Sequence, residues 1–296
     1  MAHPAPEVLA WASSVLGSEV TVIRSLRLGG TPWLLRAGGQ RAGGRNVVLR
    51  VIAAERAGET RTEIAALTHV ARVAQAGLPD PERLRALGAV AARISSVTLS
   101  PARALPVRHR PIEAEDFARL RREQGASDLL RAAEAAVARA DAAAGAGPGV
   151  AGASVAGASV AGVGPDDSRP GLVHGDLWYG NTLWDEGGRL TAIIDWDCAG
   201  VGPAGIDLGT LRCDAAWCHG LAAVDDILRG WEAEAGRPGR DVPYWDVVAS
   251  LSSPPDMGWF PESMAAQGRP DLTREVMLDR RDAFLAAALS QLEAVG

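Results

Sequence analysis

His174-Gly175-Asp176-Leu177-Trp178-Tyr179-Gly180-Asn181 is the stretch from which this 296-residue chain is best read. Thirteen residues separate it from Asp195-Trp196-Asp197, which closes the apolar run Ile193-Ile194. A carboxylate at 176 can receive or orient the proton of an attacking group. Asn181, five residues later on a tight loop, and Asp195, at the end of a strand, offer the hard oxygen donors that magnesium prefers. These two roles, together with a cation to steady phosphate oxygens, are the requirements of phosphoryl transfer. Taken singly, each residue has an ordinary explanation. An Asp before a strand is commonly a turn residue, and a lone His is commonly a satisfied core histidine. The combined spacing is much harder to obtain by accident.

The pattern His-Gly-Asp-x4-Asn, thirteen residues, Asp-Trp, then Gly202 to Asp207-Leu208-Gly209, resembles the aminoglycoside phosphotransferase and choline kinase superfamily. The resemblance implies a two-lobed, protein-kinase-like α+β fold. A small antiparallel-sheet N-lobe with one or two helices would precede a mainly helical C-lobe. It implies Asp176 as catalytic base, Asn181 and Asp195 as ligands of Mg2+, and ATP or GTP as co-substrate. His174 would support the loop through hydrogen bonds. Asp207 would do likewise from a buried helix start by bonding loop amides; an ordinary helix N-cap is a compatible alternative.

Similar kinases carry a basic residue on the third strand, against the α- and β-phosphates and paired with a helix glutamate. Arg50 in Val47-Val48-Leu49-Arg50-Val51 matches that position, and Glu63 is its implied partner. The alternatives are a solvated strand end for Arg50 and a capping box with Thr60 for Glu63. Leu28-Gly29-Gly30-Thr31 resembles the glycine-containing hairpin over the phosphates, although Gly29-Gly30 also suits a plain hairpin turn. The implied acceptor is a small molecule, an aminoglycoside first, with macrolides, choline-like alcohols and other metabolites as alternatives. The rival from another class is a nucleotide-binding pseudokinase with a regulatory role.

Composition narrows the chemistry further. All 30 basic residues are arginine, so mechanisms that need a lysine Schiff base or a lysine general base are excluded. The net charge of −6 is unevenly spread. Residues 1–100 hold 12 Arg and 7 acids (+5), residues 101–200 hold 10 and 14 (−4), and residues 201–296 hold 8 and 15 (−7). An anionic ligand in front and a cationic acceptor behind would fit that asymmetry. Asp214, Asp225, Asp226, Asp241, Asp246, Asp256 and Glu262 are candidates to bind a polyamine, with solvated helix faces as their ordinary fate. The absence of a basic cluster argues against nucleic acid. No run approaches the ~18 apolar residues of a membrane span, and Met1 to Val20 lacks the basic start of a signal peptide, so a cytoplasmic protein is expected. Cys198, Cys213 and Cys218 form no CxxC pair and read as free core thiols, the local run with Asp214 and His219 matching no standard zinc spacing.

Periodicity predicts a helix over Pro6–Leu16, strands at Val20–Leu28, Trp33–Ala37 and Val47–Ile52, a helix from Thr60 to Gly77, and a β-like run at Ile94–Leu99. The lobe boundary is expected near residue 102, giving an N-lobe of 1–102 and a C-lobe of 103–296. Helices are expected at Pro111–Glu123, Ser127–Ala144 and Pro270–Ala294, with short apolar runs at Gly171–His174, Asn181–Trp184 and Leu190–Ile194. An Ala/Gly-rich insertion at about 145–169, with the repeat Val150–Ser154 and Val155–Ser159, carries too little apolar bulk for a core. Seven of the nine Trp lie between Trp178 and Trp259, and one or two of them could form a stacking wall for the acceptor.

Overall fold

A computed structural model describes residues 4–25, 33–38, 45–49, 80–97, 105–144, 170–185, 187–266 and 268–295. Gly29, Gly30, Arg50, the helix expected from Thr60 with Glu63, and the insertion at 145–169 lie outside the described residues.

Helix α1 (Pro6–Leu16) starts on a proline, where the missing N–H is one the helix would leave unbonded anyway. Its Val8, Leu9, Ala12 and Leu16 pack against an antiparallel sheet of β1 (Val20–Ser25), β2 (Trp33–Ala37) and β3 (Arg45–Leu49), in that order. Trp33, Leu35 and Ala37 alternate onto the packed face, as a period of two requires, and Leu34 is buried on the other.

Helix α2 (Pro81–Ser95) is followed by α3 (Phe117–Gln124) and α4 (Asp128–Ala143). Asp116 and Ser127 cap α3 and α4 by accepting the N–H of Arg119 and Leu130. The expected helix at Pro111 therefore begins later, after turns that include Ile112 at φ 46°. Two short antiparallel pairs come next. β4 (Gly171–Val173) pairs with β7 (Gly200–Gly202), and β5 (Thr182–Trp184) pairs with β6 (Leu190–Ile193). The chain closes with α5 (Gly205–His219), α6 (Val224–Ala235), α7 (Val242–Leu251), α8 (Pro261–Ala266) and α9 (Arg274–Val295). The last helix begins four residues beyond the expected Pro270. No helix among the described residues is long and apolar enough to cross a membrane.

The α2 helix corrects the β-like run read at Ile94–Leu99, of which residues 98 and 99 lie outside the described residues. Asp80 caps it by accepting the Arg83 N–H at 2.9 Å, and Pro81 opens it. Ile94 faces the same core as Leu84, Leu87 and Ala91, so the 3.6-residue period prevails over the strand preference of Ile94 and Val97. That core also contains Leu208, Leu211, Ile227 and Trp231. A division at residue 102 therefore assigns to the front a helix whose apolar face is buried with the rear half. Two glycines make the contact close. A Cβ on Gly88 would stand 1.9 Å from the Ile227 carbonyl oxygen, and one on Gly230 2.0 Å from that of Arg85.

Helix α5 runs through the rear half with every residue buried except Thr210 and His219. Gly205 and Gly209 admit Trp245 of α7. Arg212 forks onto Asp246 through Nε–Oδ1 at 2.9 Å and Nη2–Oδ2 at 2.8 Å, and also donates to the Val224 carbonyl. Removal of either ion alone would strand a buried charge.

Candidate active site

The two antiparallel strand pairs bring the quoted motif together, the β5–β6 hairpin lying in the chain between β4 and β7. β4 delivers the chain to His174, and β5 and β6 hold Asn181 and Asp195 at the same end, with Thr182 opposite Ile193. The Ile194 N–H donates to the Asn181 carbonyl at 2.9 Å, which joins the two arms just before Asp195. The Asn181 side chain is fully buried, and its nitrogen donates to the Asp176 carbonyl at 2.8 Å and to Asp176 Oδ2 at 3.2 Å. Both partners can only accept, so the amide nitrogen must lie on that side and the side-chain carbonyl on the other. Asp195 sits at φ 71°, ψ 56°, a left-handed conformation that a non-glycine residue adopts at a cost and that clusters at functional sites.

His174 is fully buried beneath this loop. Its Nε2 lies 2.9 Å from the Ile194 carbonyl, and its Nδ1 accepts the Asp176 N–H at 3.3 Å. A carbonyl accepts and an amide donates, so the ring is the neutral Nε2–H tautomer. Burial pushes its pKa down to about 4. The Trp196 ring packs on it at 4.7 Å between centroids. Asp207, in the first turn of α5, does not cap its own helix. Its Oδ2 accepts the His174 N–H at 2.8 Å and its Oδ1 the Gly175 N–H at 2.9 Å. Burial pushes this carboxyl up to about 6, against the two amide bonds, which pull it down. Gly175 stands at φ +79°, and a Cβ there would lie 2.2 Å from the Cys198 carbonyl oxygen, so both backbone and space require glycine.

His174, Asp176, Asn181, Asp195 and Asp207 are thus one connected group, while Arg50, Glu63, Gly29 and Gly30 lie outside the described residues. Sequence reasoning missed a further member, Asp214 of α5, whose Oδ2 accepts the Tyr179 N–H at 3.1 Å. In the sequence Asp214 belongs to the seven rear acids and to the run with Cys213, Cys218 and His219, and neither pattern points to the loop.

A family model for the phosphotransferase enzyme family, APH, matches residues 47–245. The chain belongs to that family. Solved structures of similar fold include macrolide 2'-phosphotransferase MphH from Brachybacterium faecium, at 20% identity and TM-score 0.52 over 95% of this chain and 98% of that one. Spectinomycin phosphotransferase APH(9)-Ia, solved with ADP and spectinomycin, shows 13% identity and TM-score 0.52 over 96% and 99%. Aminoglycoside-3'-phosphotransferase of type VIII shows 15% identity and TM-score 0.50 over 82% and 99%. At these identities the likeness is one of fold: the phosphotransferase is two-lobed, α+β and kinase-like. No curated protein matches the chain.

In this phosphotransferase the rear acids are largely committed. Asp225 and Asp226 pair with Arg229, Asp226 also with Arg85, Asp246 with Arg212, and Asp256 with Arg274. Asp214 is spent on the loop amide. Of the seven Trp, Trp184, Trp217, Trp231 and Trp245 are buried core, while Trp259 is 51% exposed and stacks on Phe117. Cys198, Cys213 and Cys218 are free thiols, and burial pushes the first two up to about 12.

Proposed function

We propose that this phosphotransferase moves the γ-phosphoryl group of ATP or GTP to a hydroxyl of a small antibiotic-type molecule, an aminoglycoside first. The observation that carries the reading is the two-point contact of Asn181 with Asp176, which makes the base and a metal-ligand candidate one unit. Asp176 takes the proton of the acceptor hydroxyl as its oxygen bonds to the γ-phosphorus and the bond to the nucleoside diphosphate breaks. The Asn181 carbonyl and the Asp195 carboxylate would hold magnesium. The donor set fits, since both are hard oxygens and the Asn181 nitrogen is turned away onto Asp176. Magnesium, when bound, neutralises charge gathering on the phosphate oxygens. His174 and Asp207 hold the loop, Arg50 with Glu63 anchors the phosphates, and the Gly29-Gly30 hairpin covers them.

A second reading, a weakly charged acceptor such as a macrolide, is favoured by the engagement of Asp214, Asp225, Asp226, Asp246 and Asp256 described above. The test is transfer of labelled γ-phosphate from ATP and GTP to a panel of aminoglycosides, macrolides, spectinomycin and amino alcohols. An aminoglycoside product supports the first reading and a macrolide product the second. A folded chain that binds magnesium-nucleotide and phosphorylates none of them would sink both and leave a kinase of another metabolite or a pseudokinase. In calorimetry, Asp195→Ala should abolish the magnesium dependence of nucleotide binding; unchanged magnesium-linked affinity would remove Asp195 from the site.

A further inference from the structure

We propose that Asp214 is a positioning residue for the loop 174–181, holding its far end as Asp207 holds its near end. This rests on the reading of that loop as catalytic. Asp207 and Asp214 are seven residues apart on α5, close to two helical turns, so both carboxylates project from one face. Asp214 is 4% exposed, and among the described residues it forms no ion pair. Its contacts are the Tyr179 N–H at Oδ2, 3.1 Å, and the Cys218 thiol at Oδ1, 3.5 Å. A buried carboxylate without a counter-charge is costly unless a specific hydrogen bond uses it.

The loop amide has a reason to need this acceptor. Tyr179 opens a single 3-10 turn, Tyr179–Asn181, and the first N–H of such a turn has no partner within it. The preceding residue, where a Ser or Asp would cap, is Trp178, which makes no side-chain cap. Asp214 supplies the missing cap from another element. From Tyr179 the order passes on through bonded groups. Thr182 Oγ1 donates to the Tyr179 carbonyl at 2.6 Å and accepts Trp184 Nε1–H at 2.7 Å. The Asn181 N–H donates to the Trp178 carbonyl at 3.0 Å, and the Asn181 side chain then reaches Asp176. Loosening at Tyr179 therefore displaces Asn181 relative to Asp176.

The test compares the full wild-type chain with Asp214→Ala, which removes the acceptor, and Asp214→Asn, which keeps an acceptor oxygen. The readouts are amide hydrogen exchange in peptides spanning 174–181, kcat, nucleotide KM and the unfolding midpoint. In Asp214→Ala, loop exchange should accelerate and kcat should fall about 10- to 100-fold, the loss of one hydrogen bond to a charged acceptor, with nucleotide KM nearly unchanged. Asp214→Asn should return exchange and kcat to within a few-fold of wild type. Loop exchange unchanged in a folded Asp214→Ala overturns the proposal, as does equal impairment of the Ala and Asn variants. Should Asp214→Ala fail to fold, Asp214→Leu fills the space without an acceptor and takes its place. A folded wild-type chain that transfers no phosphate would instead count against the catalytic reading of the loop, and the exchange comparison then decides Asp214 alone.

Discussion

At position 174 a neutral imidazole is held between a carbonyl and an amide, and this has a consequence for acid stability. Its folded pKa of about 4 lies below the ordinary 6.5 because burial disfavours the cation. Above pH 6.5 both folded and unfolded chains carry it neutral. Between 6.5 and 4 the unfolded chain takes up a proton that the folded chain refuses, so the native state loses stability, about 3 kcal/mol in all. Asp207 and Asp214, both pushed up to about 6 by burial, act in the opposite direction. Their folded forms take up protons first as pH falls from 6 towards 3.8, which adds stability on acidification and loses it as pH rises. A substitution separates the two effects. The unfolding midpoint of wild type should exceed that of His174→Gln most at pH 7, and the gap should narrow as pH falls from 6.5 to 4. A gap that stays constant across that range would show that His174 is not the group concerned. The motif residues were legible because they are contiguous and chemically distinctive. Asp214 was not, because its partner is 35 residues away and a helix acid looks alike whether solvated or clamped on an amide.

At the scale of elements, the crossing of α2 and α6 depends on backbone proximity. A methyl group on Gly88 would meet the Ile227 carbonyl at 1.9 Å, and backbone cannot rotate away as a side-chain tip would. Overpacking costs about 1–3 kcal/mol and alanine regains roughly 1 kcal/mol in helix propensity; because the clash is with backbone the upper end applies, and Gly88→Ala should destabilise the chain by about 1–2 kcal/mol net. Denaturant unfolding checks this, and a variant at least as stable as wild type would contradict the close crossing. Most elements follow from local pattern, with α1, β2 and α4 lying within a residue of their periodic runs. The α2 helix was missed although Asp80-Pro81 is a start signal. Ile94, Val97, Thr98 and Leu99 formed a strand-like run, and which period prevails is decided by the core that Leu84 and Leu87 share with Ile227 and Trp231, a contact that no window of sequence contains.

For the whole molecule, the charge asymmetry was a guide to regions rather than to sites. The rear half is acidic, yet its named carboxylates are mostly bonded to arginines of the same chain or to the loop, so net charge describes the surface poorly as a recognition device. What unites the molecule is two short antiparallel strand pairs and one buried helix converging on a single loop that holds Asp176. The most direct measurement is γ-phosphate transfer to the acceptor found in the panel, comparing wild type with Asp176→Ala alongside magnesium-nucleotide affinity by calorimetry. Turnover should fall about 10²–10⁴-fold, the range of a lost general base, while nucleotide affinity is retained. Full turnover by a folded Asp176→Ala chain would contradict the account.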